Sequence, residues 1–122
     1  SPYAKTNVIQ LKDNKISEII IDPKELDVNA EKFENLVGDD AKFNANKMID
    51  IFKGKDDDFS KAVCLNAAAG LIVNETHQNF ADAYNNAREY ILSNKVINHL
   101  EKIQNGWKCS WKNNSKENWK NS

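Results

Sequence analysis

The sequence predicts an α/β chain: one β-hairpin followed by a mainly helical cluster. Three observations carry that prediction. Two β-rich apolar runs flank Asp13-Asn14 near the start. Apolar residues then recur at helical spacing from Phe43 to Ile103. Between them lies LNAAAGL, residues 65–71, at the centre of the longest apolar stretch. Alanine is the best helix former, and small side chains let a neighbour approach the backbone closely.

The elements follow in order. Val8, Ile9 and Leu11 form one strand, and Ile16, Ile19, Ile20 and Ile21 the next. Asp13-Asn14 tolerates positive φ and so suits a hairpin turn. Asp22-Pro23 with Glu25 reads as a helix start, with an N-cap, proline at the first helical position and an acid at the third. That helix is a single turn, because Asn29 starts another, with Phe33 and Leu36 on its apolar side and Gly38 at its end. Asp39 and Asp40 open a longer helix with Phe43, Met48, Ile51 and Phe52 on its inner face, stopped by Gly54. Asp56-Asp57-Asp58 precedes the small-residue helix, where acids suit the macrodipole. Asn79 with Asp82 caps a helix carrying Phe80, Tyr84, Ala87 and Ile91, which ends at Ser93-Asn94. Val96, Ile97, Leu100 and Ile103 line a final short helix.

Two features point to incompleteness. A helix that is apolar nearly all round belongs in the middle of something, and 122 residues offer little to wrap it. Two strands alone do not make a stable sheet, and no partner strand is offered.

The apolar stretch from Phe59 to Val73 is too short and too interrupted to span a bilayer, and Ser1–Thr6 does not read as a signal peptide. Cys64 and Cys109 make no disulfide framework, and Cys64 reads as a small buried hydrophobe. Together these suit a reducing, cytoplasmic setting. Residues 1–106 carry 13 basic and 17 acidic side chains, whereas 107–122 carry four lysines and one glutamate. All three tryptophans, Trp107, Trp111 and Trp119, lie in that tail.

No constellation in the sequence carries chemistry. The Asp56-Asp57-Asp58 run attracts hard cations in principle, but consecutive acids point in different directions, so it reads as a dipole-matched helix start. Asp39-Asp40 reads the same way. His77 and His99 lack a second ligand in metal spacing or an adjacent nucleophile and read as surface or packing residues. Gly38 and Gly54 are too isolated to cradle a phosphate. Asn66, inside the apolar helix, reads as a structural buried amide that needs a partner. No residue is therefore assigned as catalytic, substrate-binding or metal-binding.

Taken together, the segments resemble the C-terminal part of the anthranilate phosphoribosyltransferase family. Ser60 to Leu71 resembles that family's LNAAAAL helix. Gly38-Asp39-Asp40-Ala41-Lys42-Phe43-Asn44-Ala45 resembles its GGD-x-x-x-NA segment, with Asp39 in place of the usual second glycine. The hairpin through Leu11–Ile16, followed by Asp22-Pro23, is similar to the stretch before it. Residues 84–103, with Ala87-Arg88-Glu89 and Ser93-Asn94-Lys95, resemble the last two helices. The resemblance covers residues 1–106, which it makes the C-terminal part of the family's large α/β domain.

The resemblance implies an enzyme that transfers phosphoribosyl from phosphoribosyl pyrophosphate to the amine of anthranilate in tryptophan biosynthesis. It implies Mg²⁺ on the phosphates and a homodimer formed through a helical domain absent here. The family's glycine-rich loop, Lys-His-Gly-Asn segment, anthranilate-contacting arginine and metal-binding Asp-Glu pair do not occur in this sequence. The expectation is a fragment that binds no Mg²⁺, is inactive alone, and needs an N-terminal portion on the same or a separate chain. The runner-up is a non-catalytic binding or scaffold protein that holds single-stranded nucleic acid through its basic, tryptophan-rich tail. The acidic body argues against nucleic acid.

Residues 107–122 match nothing in the family and read as a disordered tail. If each tryptophan is encoded by TGA, synonymous codons exist for which a one-base shift opens a frame with apolar residues at helical spacing. That frame is similar to the start of indole-3-glycerol-phosphate synthase. The tail is thus expected to be read-through of a stop codon into the next gene.

Overall fold

A computed structural model describes the backbone of residues 1–30 and 32–117, and the side chains of residues 1–30 and 32–106. Strands β1 (Thr6–Lys12) and β2 (Lys15–Ile21) pair antiparallel in a two-stranded sheet, from Thr6 opposite Ile21 to Lys12 opposite Lys15. Asp13 and Asn14 close the hairpin with φ of 50° and 58°, both left-handed as the turn requires. Among the described residues these are the only strands, so the sheet has two open edges.

Two single 3₁₀ turns follow. In Pro23–Leu26 the Asp22 carboxylate accepts from the Lys24 N–H at 3.0 Å, as its N-cap position predicts. Phe33–Leu36 corrects the expectation of a helix from Asn29 to Gly38. It has no side-chain cap at Lys32, and Phe33 is 69 % exposed instead of packed inward. Four residues cannot bury a face, and nucleation without a cap is unfavourable.

Among the described residues four helices follow: α1 (Ala41–Phe52), α2 (Asp58–Val73), α3 (Phe80–Leu92) and α4 (Lys95–Glu117). Their starts are chemically specified. Asp40 caps α1 by accepting from the Phe43 N–H, and Asn79 caps α3 by accepting from Ala81 and Asp82. Asp57 caps α2 in a reciprocal capping box with Ser60, each side chain bonding the other's backbone N–H at 3.0 Å. Gly54 ends α1 at φ 97°, and Asn94 separates α3 from α4 at φ 60°. Helix α4 does not stop near Gly106 as expected. Nothing crowds that glycine, and a single exposed glycine costs a helix only about 1 kcal/mol.

The core lies between α2 and α3. Ile51 of α1, Cys64, Leu65 and Ala68 of α2, and Ala83, Tyr84, Ala87 and Ile91 of α3 are buried, with Val28 joining from the connection after the first 3₁₀ turn. Met48, Phe52, Phe59, Phe80 and Val96 pack around them. Ala68 of α2 and Ala83 of α3 are fully buried, and such small side chains let two helices approach closely. The rest of the small-residue segment is open: Asn66, Ala67, Ala69 and Gly70 are exposed, and Val73 is 82 % exposed. Asn66 is therefore not a buried amide. Its Nδ2 donates to the Ala62 carbonyl one turn back at 2.8 Å, at the surface.

Candidate functional site

The densest polar cluster sits where α2 begins. Asp58 is only 5 % exposed. Its carboxylate accepts from Asn35 Nδ2 at 2.9 Å, Lys61 Nζ at 3.1 Å and Tyr3 Oη at 3.4 Å. Lys61 Nζ also donates to the Asn29 carbonyl, and Tyr3 Oη to that of Lys32. One buried carboxylate thereby ties together the N-terminal segment, the connection 29–35 and the start of α2. The Tyr3 ring meets Phe33 edge-on at 6.2 Å. A charge buried this deeply is tolerated because its lone pairs are filled.

The neighbouring acids are engaged elsewhere. Asp57 is committed to the α2 capping box. Asp56 pairs with Arg88 of α3 and accepts from Ser60 Oγ at 3.2 Å. The Arg88 hydrogen bond holds the Asp56 carboxyl below the usual aspartate range, against the opposing effect of partial burial. The three carboxylates diverge, and each already faces a cation or an N–H donor. They do not fit a divalent metal. Among the described residues no group of three or more His, Cys, Asp or Glu is placed to hold one.

The other residues singled out in the sequence also serve the fold. Asp39 and Asp40 shape the entry to α1. Asn44 reaches back from α1, accepting from the Asp39 N–H at 3.1 Å and donating to its carbonyl at 2.7 Å. A Cβ on Gly38 would lie 2.7 Å from Asn44 Oδ1, so this glycine makes room for the clamp. That is the physical content of the glycine-to-asparagine spacing. His77 Nδ1 lies 3.3 Å from Thr76 Oγ1, and His99 is exposed on α4. Burial pushes the Cys64 thiol up to about 11 and the Tyr84 phenol up to about 12, so neither is an activated group at neutral pH.

Sequence reading missed Tyr3, Asn35 and Lys61 as partners of Asp58, and Arg88 as the partner of Asp56. Lys61 lies three residues after Asp58 on α2, a spacing at which helix side chains meet, and so was open to a local reading. No local pattern announces Asn35–Asp58, Arg88–Asp56 or Tyr3–Asp58, which are 23, 32 and 55 positions apart. The two expectations for the tail, read-through and nucleic-acid binding, fall on residues 107–122, whose side chains lie outside the described residues.

Two apolar concavities flank α2. One, about 390 Å³ in volume, lies between the hairpin and the C-terminal half of α2, lined among others by Val8, Ile19, Ile21, Ala69, Ile72 and Phe80. The other, about 400 Å³, runs between α2 and α3 past Val63, Ala67, Leu71, Tyr90 and Ile91. Neither brings together a nucleophile and a base. Among the described residues no helix is long and apolar enough to cross a membrane.

Comparison with known proteins gives these features a context. Residues 1–96 match the family described as glycosyl transferase family, a/b domain. The anthranilate phosphoribosyltransferase of Pelagibacter ubique (strain HTCC1062) is 71% identical over 105 residues, which are 86% of this chain and 32% of that protein. The anthranilate phosphoribosyltransferases of Methanococcus maripaludis (strain C6 / ATCC BAA-1332) and Alkaliphilus metalliredigens (strain QYMF) are 32% and 30% identical, covering 82% and 81% of this chain and 30% and 29% of their own lengths. No solved structure matches. The chain spans about a third of the length of the curated relatives it matches. With well over half of its residues matched by that family, the chain belongs to the glycosyl transferase family, within its a/b domain.

Proposed function

We propose that the chain is the C-terminal part of an anthranilate phosphoribosyltransferase. That enzyme transfers phosphoribosyl from phosphoribosyl pyrophosphate to anthranilate, with Mg²⁺ on the phosphates, as a cytoplasmic homodimer. The observation that carries this reading is the 71% identity over 105 residues to the Pelagibacter enzyme. Phosphoryl-bearing substrates are handled by positioned donors and charge neutralisation. Here every carboxylate of the Asp56–Asp58 run is engaged within the fold. The chemistry in this reading belongs to an N-terminal portion, and this chain supplies framework.

The test is an anthranilate-consumption assay. The chain alone is expected to show no transfer. Mixed or co-expressed with the two thirds of the Pelagibacter enzyme that it does not match, it is expected to support transfer. Turnover by the chain alone overturns the assignment of a non-catalytic part.

For residues 107–122 the proposal is read-through of a stop codon. Three TGA codons in the gene support it, and TGG at Trp107, Trp111 and Trp119 overturns it.

A further inference from the structure

The hairpin is apolar on both faces; the chain covers one of them in part, with Ile19 on it still 40 % exposed, and leaves the other open. Along β1, Thr6, Val8 and Gln10 are half-buried, while Ile9 and Leu11 between them are 74 % and 71 % exposed, although both border the concavity that separates β1 from the C-terminal half of α2. The outer face holds the cross-strand pairs Asn7–Ile20, Ile9–Glu18 and Leu11–Ile16. Ile16 and Ile20 are 76 % and 61 % exposed. Leu11 and Ile16 face each other directly, about 5 Å apart, and Ile9 meets Ile16 and Ile20 on the diagonals at about 7–8 Å, so the four aliphatics form one patch around Glu18. A sheet meant to face water alternates apolar with polar, whereas strands apolar on both faces belong inside a sheet covered on both sides.

We propose that this outer face docks the remaining portion of the transferase polypeptide, received as an apolar segment that brings a basic side chain or an N–H donor to Glu18. The proposal rests on the chain being one part of a longer transferase. Two observations select that occupant over a second copy of this chain. Glu18 lies in the middle pair of the patch, so isologous pairing about its centre brings two carboxylates together in an apolar contact, which is costly. A heterologous segment with a complementary charge carries no such cost. The matched relatives also hold about two thirds of their length beyond the region this chain covers, ample to supply it.

The experiment titrates the chain against the unmatched two thirds of the Pelagibacter enzyme, following both affinity and phosphoribosyl transfer. Ile16→Lys and Leu11→Lys are each expected to weaken association at least about tenfold. Glu18→Lys weakens it less, and Lys102→Glu on the exposed side of α4 leaves it unchanged. All four positions are exposed, so the melting of the lone chain stays the same. Association that ignores Ile16→Lys and Leu11→Lys overturns the docking face while leaving the enzyme reading intact. Absence of both association and transfer with the unmodified chain overturns that reading and the docking face together. A lone chain that dimerises, and loses the dimer on Ile16→Lys, gives the face to a second copy and also overturns the proposal.

Discussion

The helical cluster and the hairpin are built from equally apolar residues and meet solvent in opposite ways. Ile51, Ala68 and Ala83 are fully shielded, while Ile9, Leu11 and Ile16 are each more than 70 % exposed. Helix α2 repeats the contrast along its own length. Its N-terminal half is capped, tied through Asp58 and packed on α3, whereas Ala67, Ala69, Gly70 and Val73 beyond it face outward. Apolar content records which surfaces a sequence needs covered; the structure records which of them this chain covers itself. The helical cluster encloses a core of its own, whereas the hairpin with the far end of α2 leaves much of its apolar surface uncovered.

The contrast is open to attack by mutation. Ile51→Ala is expected to cost the lone chain about 2–5 kcal/mol in a urea melt, because a fully enclosed side chain leaves a cavity. Ile16→Ala in the same experiment should change stability by no more than about 0.5 kcal/mol. Comparable costs at the two sites would erase the distinction. Asp58→Ala removes the shared acceptor of Asn35, Lys61 and Tyr3 and is expected to cost about 2–3 kcal/mol, less than a wholly buried pair because Lys61 remains partly solvated. Limited proteolysis should then cut first within residues 1–5 or around Asn35, the segments that Asp58 holds. Asp57→Ala breaks the α2 capping box for about 1 kcal/mol.

The smallest effect is at the Asp56–Arg88 pair, both of whose side chains are about 40 % exposed. Its sign follows from the depressed Asp56 value. A carboxylate held below its unfolded value of 3.8 adds stability above that pH and loses it as pH falls through the folded value. Arg88→Gln should lower stability at neutral pH by about 0.5 kcal/mol or less and flatten its decline below about pH 4. Chemical labelling offers an independent check on the helical cluster. The Cys64 thiol, buried and pushed up to about 11, should react with a thiol reagent only after unfolding, whatever happens at the hairpin.

Much of this architecture was legible from local chemistry. The Asp13-Asn14 turn, the Asp40, Asp57 and Asn79 caps and the breaks at Gly54 and Asn94 stand where residue type places them. So does the inner face of α3, whose Tyr84, Ala87 and Ile91 recur at helical spacing. The misreadings came from positions decided by non-local packing. Phe33 looked like an inward anchor, but its element is one uncapped turn. Asn66 looked buried because its neighbours are apolar, yet that side of α2 is open. The site itself was less legible than the fold. The Asp58 cluster draws on residues 3, 35, 58 and 61; Lys61 is a neighbour of Asp58 on α2, but only the folded chain brings Tyr3 and Asn35 to them.

Amide hydrogen exchange tests the central claim most directly, because it reads the two regions in one experiment. In the lone chain, the amides of α2 from Val63 to Ala68 and those of α3 should exchange slowly, and those of β1 and β2 fast. On adding the unmatched two thirds of the Pelagibacter enzyme, Thr6–Lys12 and Lys15–Ile21 should become as protected as α3. A hairpin already protected to the level of α3 in the lone chain, or one left unprotected in a complex that catalyses transfer, would contradict the account.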